Sequence, residues 1–167
     1  MRQRHTTYVA KLTCVLCLVS CVLIGFFALT GCAPPPDKVC FANRCINIEV
    51  VTDSPDLVRG LKFRSRLKLD AGMLFVFSQR DVHKFWMKDT WIPLDMIWLD
   101  DEKRIIDIVT NVPPCQDDPC PSYGQNILSR YVLEINAGQA ERWKLSIGDE
   151  AKFRGSPGSP LYPKTRP

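Results

Sequence analysis

Cys45-Ile46-Asn47-Ile48-Glu49-Val50-Val51 sets Ile46, Ile48 and Val50 on alternate positions against Asn47 and Glu49. A period of two belongs to an extended chain whose successive side chains point to opposite faces of a sheet, so this stretch reads as a half-buried strand. Strand-like runs recur on either side of the next breaks, at Met73–Phe77, Lys84–Lys88, Leu94–Leu99, Arg104–Val109, Tyr131–Ile135 and Glu150–Arg154. Ser54-Pro55 predicts a short helix over Asp56–Leu61, with Ser54 as N-cap and Pro55 at the first position. Asn136 predicts a second over Ala137–Trp143. Asp70-Ala71-Gly72, Asp100–Lys103 and Ile147-Gly148-Asp149 are turns, and residues 110–126, with four prolines, form a long loop. The reading is a single small β-rich domain over residues 39–154, followed by a Gly/Pro/Ser-rich flexible tail over 155–167.

The chain has 167 residues, 46% hydrophobic and 24% charged, which excludes disorder as its main state. Of its 22 basic residues Arg2, Arg4 and Lys11 lie in residues 1–31 with no acid, leaving 19 basic against 18 acidic side chains. A chain so balanced carries no long-range field of the kind that marks a nucleic-acid binder.

Residues 1–11 hold three positive charges, and Leu12–Leu29 follows as an uncharged apolar run. That order is a secretion leader. The run ends in Leu29-Thr30-Gly31-Cys32, which resembles the cleavage box of bacterial lipoprotein precursors. The resemblance implies a signal peptide over 1–31, acylation of Cys32, and a membrane partner reached through that lipid; residues 32–38 then form a Pro-rich spacer. Ala33 in place of Asp gives no inner-membrane retention signal, so the expected location is extracytoplasmic, on an outer membrane facing the periplasm where the cell has one. An uncleaved membrane helix is the alternative, since about eighteen apolar residues can just span a bilayer.

Cys14, Cys17 and Cys21 belong to the leader and Cys32 is the lipid site, leaving Cys40, Cys45, Cys115 and Cys120. Outside the cytoplasm such a set is expected to oxidise. Both pairs are spaced C-x4-C, so local disulfides 40–45 and 115–120 are expected, the rival being a four-cysteine zinc site.

Arg59–Phe77, RGLKFRSRLKLDAGMLFVF, followed by Phe85–Asp95, FWMKDTWIPLD, resembles domain of unknown function family 192. Val132–Gly138 and Ile147-Gly148-Asp149 extend the likeness, which covers most of residues 46–153. The resemblance implies a mostly antiparallel α+β fold, compact, β-barrel-like and single-domain, with two short helices, and no established activity. The chain departs from the family pattern at Lys62 (Met), Asp89 (Asn) and Gln139 (an aromatic). At position 89 an amide donor is thereby exchanged for acceptors only.

Among the chemistry-bearing residues, His83 is the one histidine beyond the leader, so a multi-histidine metal site is excluded; no cofactor or metal is expected. In Phe85-Trp86-Met87-Lys88-Asp89-Thr90, alternation turns Phe85 and Met87 to the core and offers Trp86 beside Lys88 on the other face. A stacking surface, a cation and nearby hydrogen-bonding groups compose a small polar-ligand site, taken as Arg64, Trp86, Lys88, Asp89, Thr90 and Asp95. Asp95 and Glu134 are lone carboxylates in apolar strands, each needing a partner or a raised pKa. Lys62, Arg64, Arg66 and Lys68 alternate along one side, a solvated basic face or a contact for an anionic surface. The leading reading is a lipid-anchored cell-envelope binding or accessory domain. The alternatives are an enzyme acting on envelope glycans or lipids through Asp95 with Asp89 or Glu134, and a structural or assembly lipoprotein.

Overall fold

Strand β2 (Arg44–Val51) carries the opening alternation, with Ile46, Ile48 and Val51 buried. The computed structural model describes residues 35–156 and 158–161; the leader, Cys32 and the last six residues lie outside them. Around β2 stand β1 (Lys38–Phe41), β3 (Ala71–Asp81), β4 (Phe85–Trp86), β5 (Leu94–Leu99), β6 (Ile105–Val112), β7 (Ser122–Tyr123), β8 (Ser129–Asn136) and β9 (Ala151–Arg154). Two short helices, α1 (Ser54–Arg59) and α2 (Gln139–Trp143), complete the described elements. Seven strands form one sheet in the order β6-β5-β8-β3-β2-β1-β9, and β4 and β7 pair separately.

The sheet is antiparallel throughout except for β2 and β3, which run parallel because the crossover through α1 returns the chain to the same end. It curls into a half-barrel. Edge strands β6 and β9 approach at one end, where Arg104 and Glu150 form a bridge and the Ile105 N–H donates to the Asp149 carbonyl at 2.9 Å. No ladder continues beyond that bridge among the described residues, so the expected barrel-like fold is an open one. Strand β1, absent from the expected set, pairs with β2 through a turn at Ala42-Asn43 that faces Cys40 with Cys45.

Both expected disulfides are present, Cys40–Cys45 and Cys115–Cys120, which excludes the four-thiolate zinc alternative. Helix α1 begins at Ser54 because the Asp53 carboxylate accepts the Asp56 N–H at 3.4 Å, displacing Ser54 from the expected capping role. Helix α2 begins at Gln139, later than expected, because the Asn136 side chain donates instead to the Lys68 carbonyl at 2.9 Å. In the segment read as a tail, Ser156 and Ser159 hydrogen-bond to the Asp37 carboxylate.

The sheet buries apolar side chains on both faces. One cluster gathers Ile46, Ile48, Leu74, Ile97, Leu133 and Ile135 under α2. The other gathers Met73, Phe75, Met87, Met96, Trp98 and Val132 beneath α1 and the loops. The unit from Pro35 onward thus contains both cores and both disulfides and is self-contained.

Candidate functional site

Parity along β8 creates the site. Tyr131, Leu133 and Ile135 turn toward the cluster under α2, so Val132 and Glu134 turn toward the other. Strand pairing then aligns Glu49, Met73, Glu134 and Met96 across four strands on one face. Glu134 therefore emerges between two methionines, only 5% exposed.

Above it lies a cavity of about 480 Å³, bounded by α1 and the segment after it on one side and by Val82–Trp86 on the other. Leu57, Leu61, Phe75, Phe77 and Phe85 make the walls apolar. Phe85 is held edge-on by Phe75 at 4.8 Å and by Trp98 at 6.0 Å between ring centroids, so this wall is rigid. Glu134 and Thr90 supply polar groups at the base. Arg59, Lys62 and Lys84 supply the cations, and Lys62 Nζ stands 5.2 Å from the centre of the Trp86 ring.

Burial pushes the Glu134 carboxyl up to about 8, and the nearby Arg64 charge offsets only part of this. At neutral pH the side chain is therefore mostly the neutral acid, able to donate one hydrogen bond and accept others. Arg64 makes no bond to it; its two terminal guanidinium nitrogens are bonded to Glu49, at 2.5 and 2.6 Å. That pairing holds the Glu49 carboxyl below its ordinary value. His83 lies against the same cavity, stacked on Phe77 at 3.5 Å. Burial lowers its pKa against a bond to the Gln79 backbone, and its Nε2 meets no hydrogen-bond partner among the described residues. Glu134 thus presents an unused donor to the cavity, whereas the unpartnered His83 Nε2 is itself buried away from open space.

Of the six expected site residues, Trp86 and Thr90 line this cavity and the other four do not. Lys88 turns away to Asp118 Oδ2 at 2.8 Å and to the Gln116 carbonyl, because β4 ends after two residues and the chain bends onto Cys115. Asp89 adopts φ +60°, with its N–H on the Cys115 carbonyl and its carbonyl accepting the Phe63 N–H. Asn and Asp are the non-glycine residues that tolerate this left-handed conformation best, so position 89 shapes the backbone.

Asp95 is fully buried on the opposite face from Glu134, since it pairs with Ile135 while Met96 pairs with Glu134. Its Oδ1 accepts the Asn111 and Gly138 N–H groups and its Oδ2 the Ala140 N–H, at 2.8, 3.0 and 2.8 Å. Asp95 is the cap of α2 and a brace for β6, and the pairing of Asp95 with Glu134 as acid and base is excluded by the intervening sheet. Sequence reasoning overlooked α1, His83 and Lys84 as cavity residues; the signal within reach was Glu134 itself, a lone acid between Leu133 and Ile135. Among the described residues no cluster of three His, Cys, Asp or Glu side chains could hold a metal ion.

Fold and cavity together define a small α+β half-barrel domain with an apolar, acid-floored cavity. The chain belongs to domain of unknown function family 192, described as uncharacterized ACR, whose model matches residues 38–153. It is similar to a protein from Sinorhizobium meliloti 1021 named as a candidate transcription regulator, with 29% identity and TM-score 0.63 over 72% of this chain and 94% of that one. It is also similar to a protein of unknown function from Novosphingobium aromaticivorans DSM 12444, with 31% identity and TM-score 0.60 over 75% and 89%. A search of curated proteins finds no match.

Proposed function

We propose that this chain is a lipid-anchored, extracytoplasmic binding domain that takes a small amphipathic organic molecule into the cavity above Glu134. The observation that carries the reading is a preformed, mostly apolar cavity of about 480 Å³ holding a nearly buried carboxyl that the protein leaves unpaired. An unpaired buried acid costs stability, and a ligand oxygen that accepts its proton offsets that cost. The ligand's apolar body fits against Phe77, Phe85 and Trp86. With Arg59, Lys62 and Lys84 around the cavity, a neutral or anionic ligand is favoured over a cation. The regulator reading borne by the Sinorhizobium relative's name finds little support in this chain, whose described helices have six and five residues, short for a groove-reading element.

The test is thermal unfolding of the chain from Ala33 onward against aromatic and aliphatic carboxylic acids, fatty acids, hydroxylated sugars and muropeptides. A ligand at about 100 times its Kd stabilises by about 2.7 kcal/mol. The expected result is a rise in Tm with an amphipathic member of the panel, lost in Glu134→Leu, weakened in Trp86→Ala and retained in Lys88→Ala. Absence of a shift with every compound, or a shift that survives Glu134→Leu, refutes the assignment.

A further inference from the structure

The apolar surface around the cavity mouth continues outside it. Val58 is 71% exposed and Trp86 51%, although both line the cavity. Phe63 and Trp91, 60% and 49% exposed, stack edge-on at 6.0 Å beside them, tied in through Lys62, which precedes Phe63 and stands over Trp86. The φ of +62° at Phe63 and the bond from its N–H to the Asp89 carbonyl help hold this ring out in the open.

The charges interleaved with these rings are mostly basic, the acids among them being Asp56, which shares a groove with Arg59 and Lys62, and Asp89, between Trp86 and Trp91 in the chain. Arg59 and Lys62 have no carboxylate within ion-pair distance among the described residues, and neither have Arg66 and Lys68 farther along the same segment; Arg64 is neutralised by Glu49. Exposed Trp and Phe with interspersed Lys and Arg match the two layers of a bilayer surface, acyl boundary and anionic headgroups. Where the chain enters points the same way. Pro36 shares a groove with Arg64, Arg66 and Lys68. Three residues separate it from Cys32, and the four Cα steps reach at most about 14 Å.

We infer that the face formed by Val58, Phe63, Trp86 and Trp91, with Arg59, Lys62 and Arg66, docks on an anionic lipid bilayer. On a chain tethered at Cys32, this face would bring the cavity mouth to the membrane, while the docking itself depends on neither the anchor nor the ligand.

The experiment is co-sedimentation of the non-acylated chain from Ala33 onward with vesicles of phosphatidylcholine alone or with added phosphatidylglycerol. Binding to the anionic vesicles is expected, weakening with salt and accompanied by a blue shift of tryptophan emission. Each basic side chain near an anionic surface contributes about 5-fold, so Lys62→Gln with Arg66→Gln lowers the partition coefficient about 25-fold. Trp86→Gln with Trp91→Gln lowers it at least as far, whereas Arg142→Gln with Lys152→Gln, outside this face, leaves it unchanged. All these side chains are on the surface, and unchanged melting temperatures verify the fold. Glu134→Leu, which removes the proposed ligand contact, leaves vesicle binding intact, so the two readings fail separately. No binding to anionic vesicles at low salt overturns the inference. So does binding that needs the cations but not Trp86 and Trp91, which assigns the face to a soluble polyanion.

Discussion

Glu134→Gln tests the electrostatics of the cavity directly, because it keeps the shape and hydrogen-bonding capacity of the side chain and removes only its ability to ionise. The carboxyl is raised from an ordinary 4.5 to about 8 in the folded chain. Between those values the unfolded chain has lost this proton and the folded chain still holds it, so stability falls as pH rises. Each unit of pKa difference corresponds to about 1.36 kcal/mol. From pH 5 to pH 8 the wild type should lose roughly 3 to 4 kcal/mol through this one group. Other shifted groups act in acid, His83 overlapping the lower part of this range. The lowered carboxyls of Asp37 and Glu49 contribute stability that disappears in acid, below their ordinary range. His83, with a lowered pKa, removes stability as pH falls below 6.5. The difference between Glu134→Gln and wild type therefore isolates the buried acid. Urea unfolding at half-unit steps from pH 5 to pH 9, with the disulfides intact, should show the variant gaining on wild type by about 1.4 kcal/mol per pH unit until the gain levels off near pH 8. A constant difference across that range would mean that Glu134 ionises normally, and the proposed hydrogen-bond donor would be gone with it.

Arg64→Gln removes the one nearby charge that holds Glu134 down, so the same titration should level off at higher pH than in wild type. Asp95→Asn leaves one acceptor where three N–H groups now converge; it should cost about 3 kcal/mol in chemical denaturation and spare ligand binding in any variant that still folds. Gly124→Ala places a Cβ 2.8 Å from the Trp98 ring at φ +97°, and should cost about 2 kcal/mol, read from Tm. Cys115→Ser with Cys120→Ser opens a short loop, worth about 2 kcal/mol by chain entropy, and should loosen the Lys88–Asp118 pair, read as faster amide exchange over residues 115–120.

Elements dominated by local alternation were legible: β5 coincides with Leu94–Leu99, and β2, β8 and β9 begin or end within two residues of the expected bounds. Strand β1 was illegible because Lys-Val-Cys-Phe is too short to show a period, and only pairing with both β2 and β9 makes it a strand. The late start of α2 was hidden because its capping acid is 43 residues distant, on another strand. The tail segment read as flexible contains nothing in its own composition to reveal that Asp37, 119 residues away, binds Ser156.

Within the site, parity and partnership decided what composition could not. Asp95 and Glu134 look alike in sequence, each an acid among aliphatic residues, and on adjacent strands they lie one residue out of register. That single step sends Asp95 to the α2 side, where three backbone N–H groups use its oxygens. It sends Glu134 to the α1 side, where the Arg able to neutralise it is already bound to Glu49. A fully satisfied buried carboxylate is a structural part whose removal damages the fold; an unsatisfied one beside a cavity is a standing cost that a ligand can relieve. The same accounting separates Trp98, whose Nε1 is bound to the His83 carbonyl at 2.8 Å inside the core, from Trp86 and Trp91, which stand half-exposed, the one under Lys62 and the other against Phe63. The proposed site therefore rests on a side chain's unused bonding capacity more than on its type.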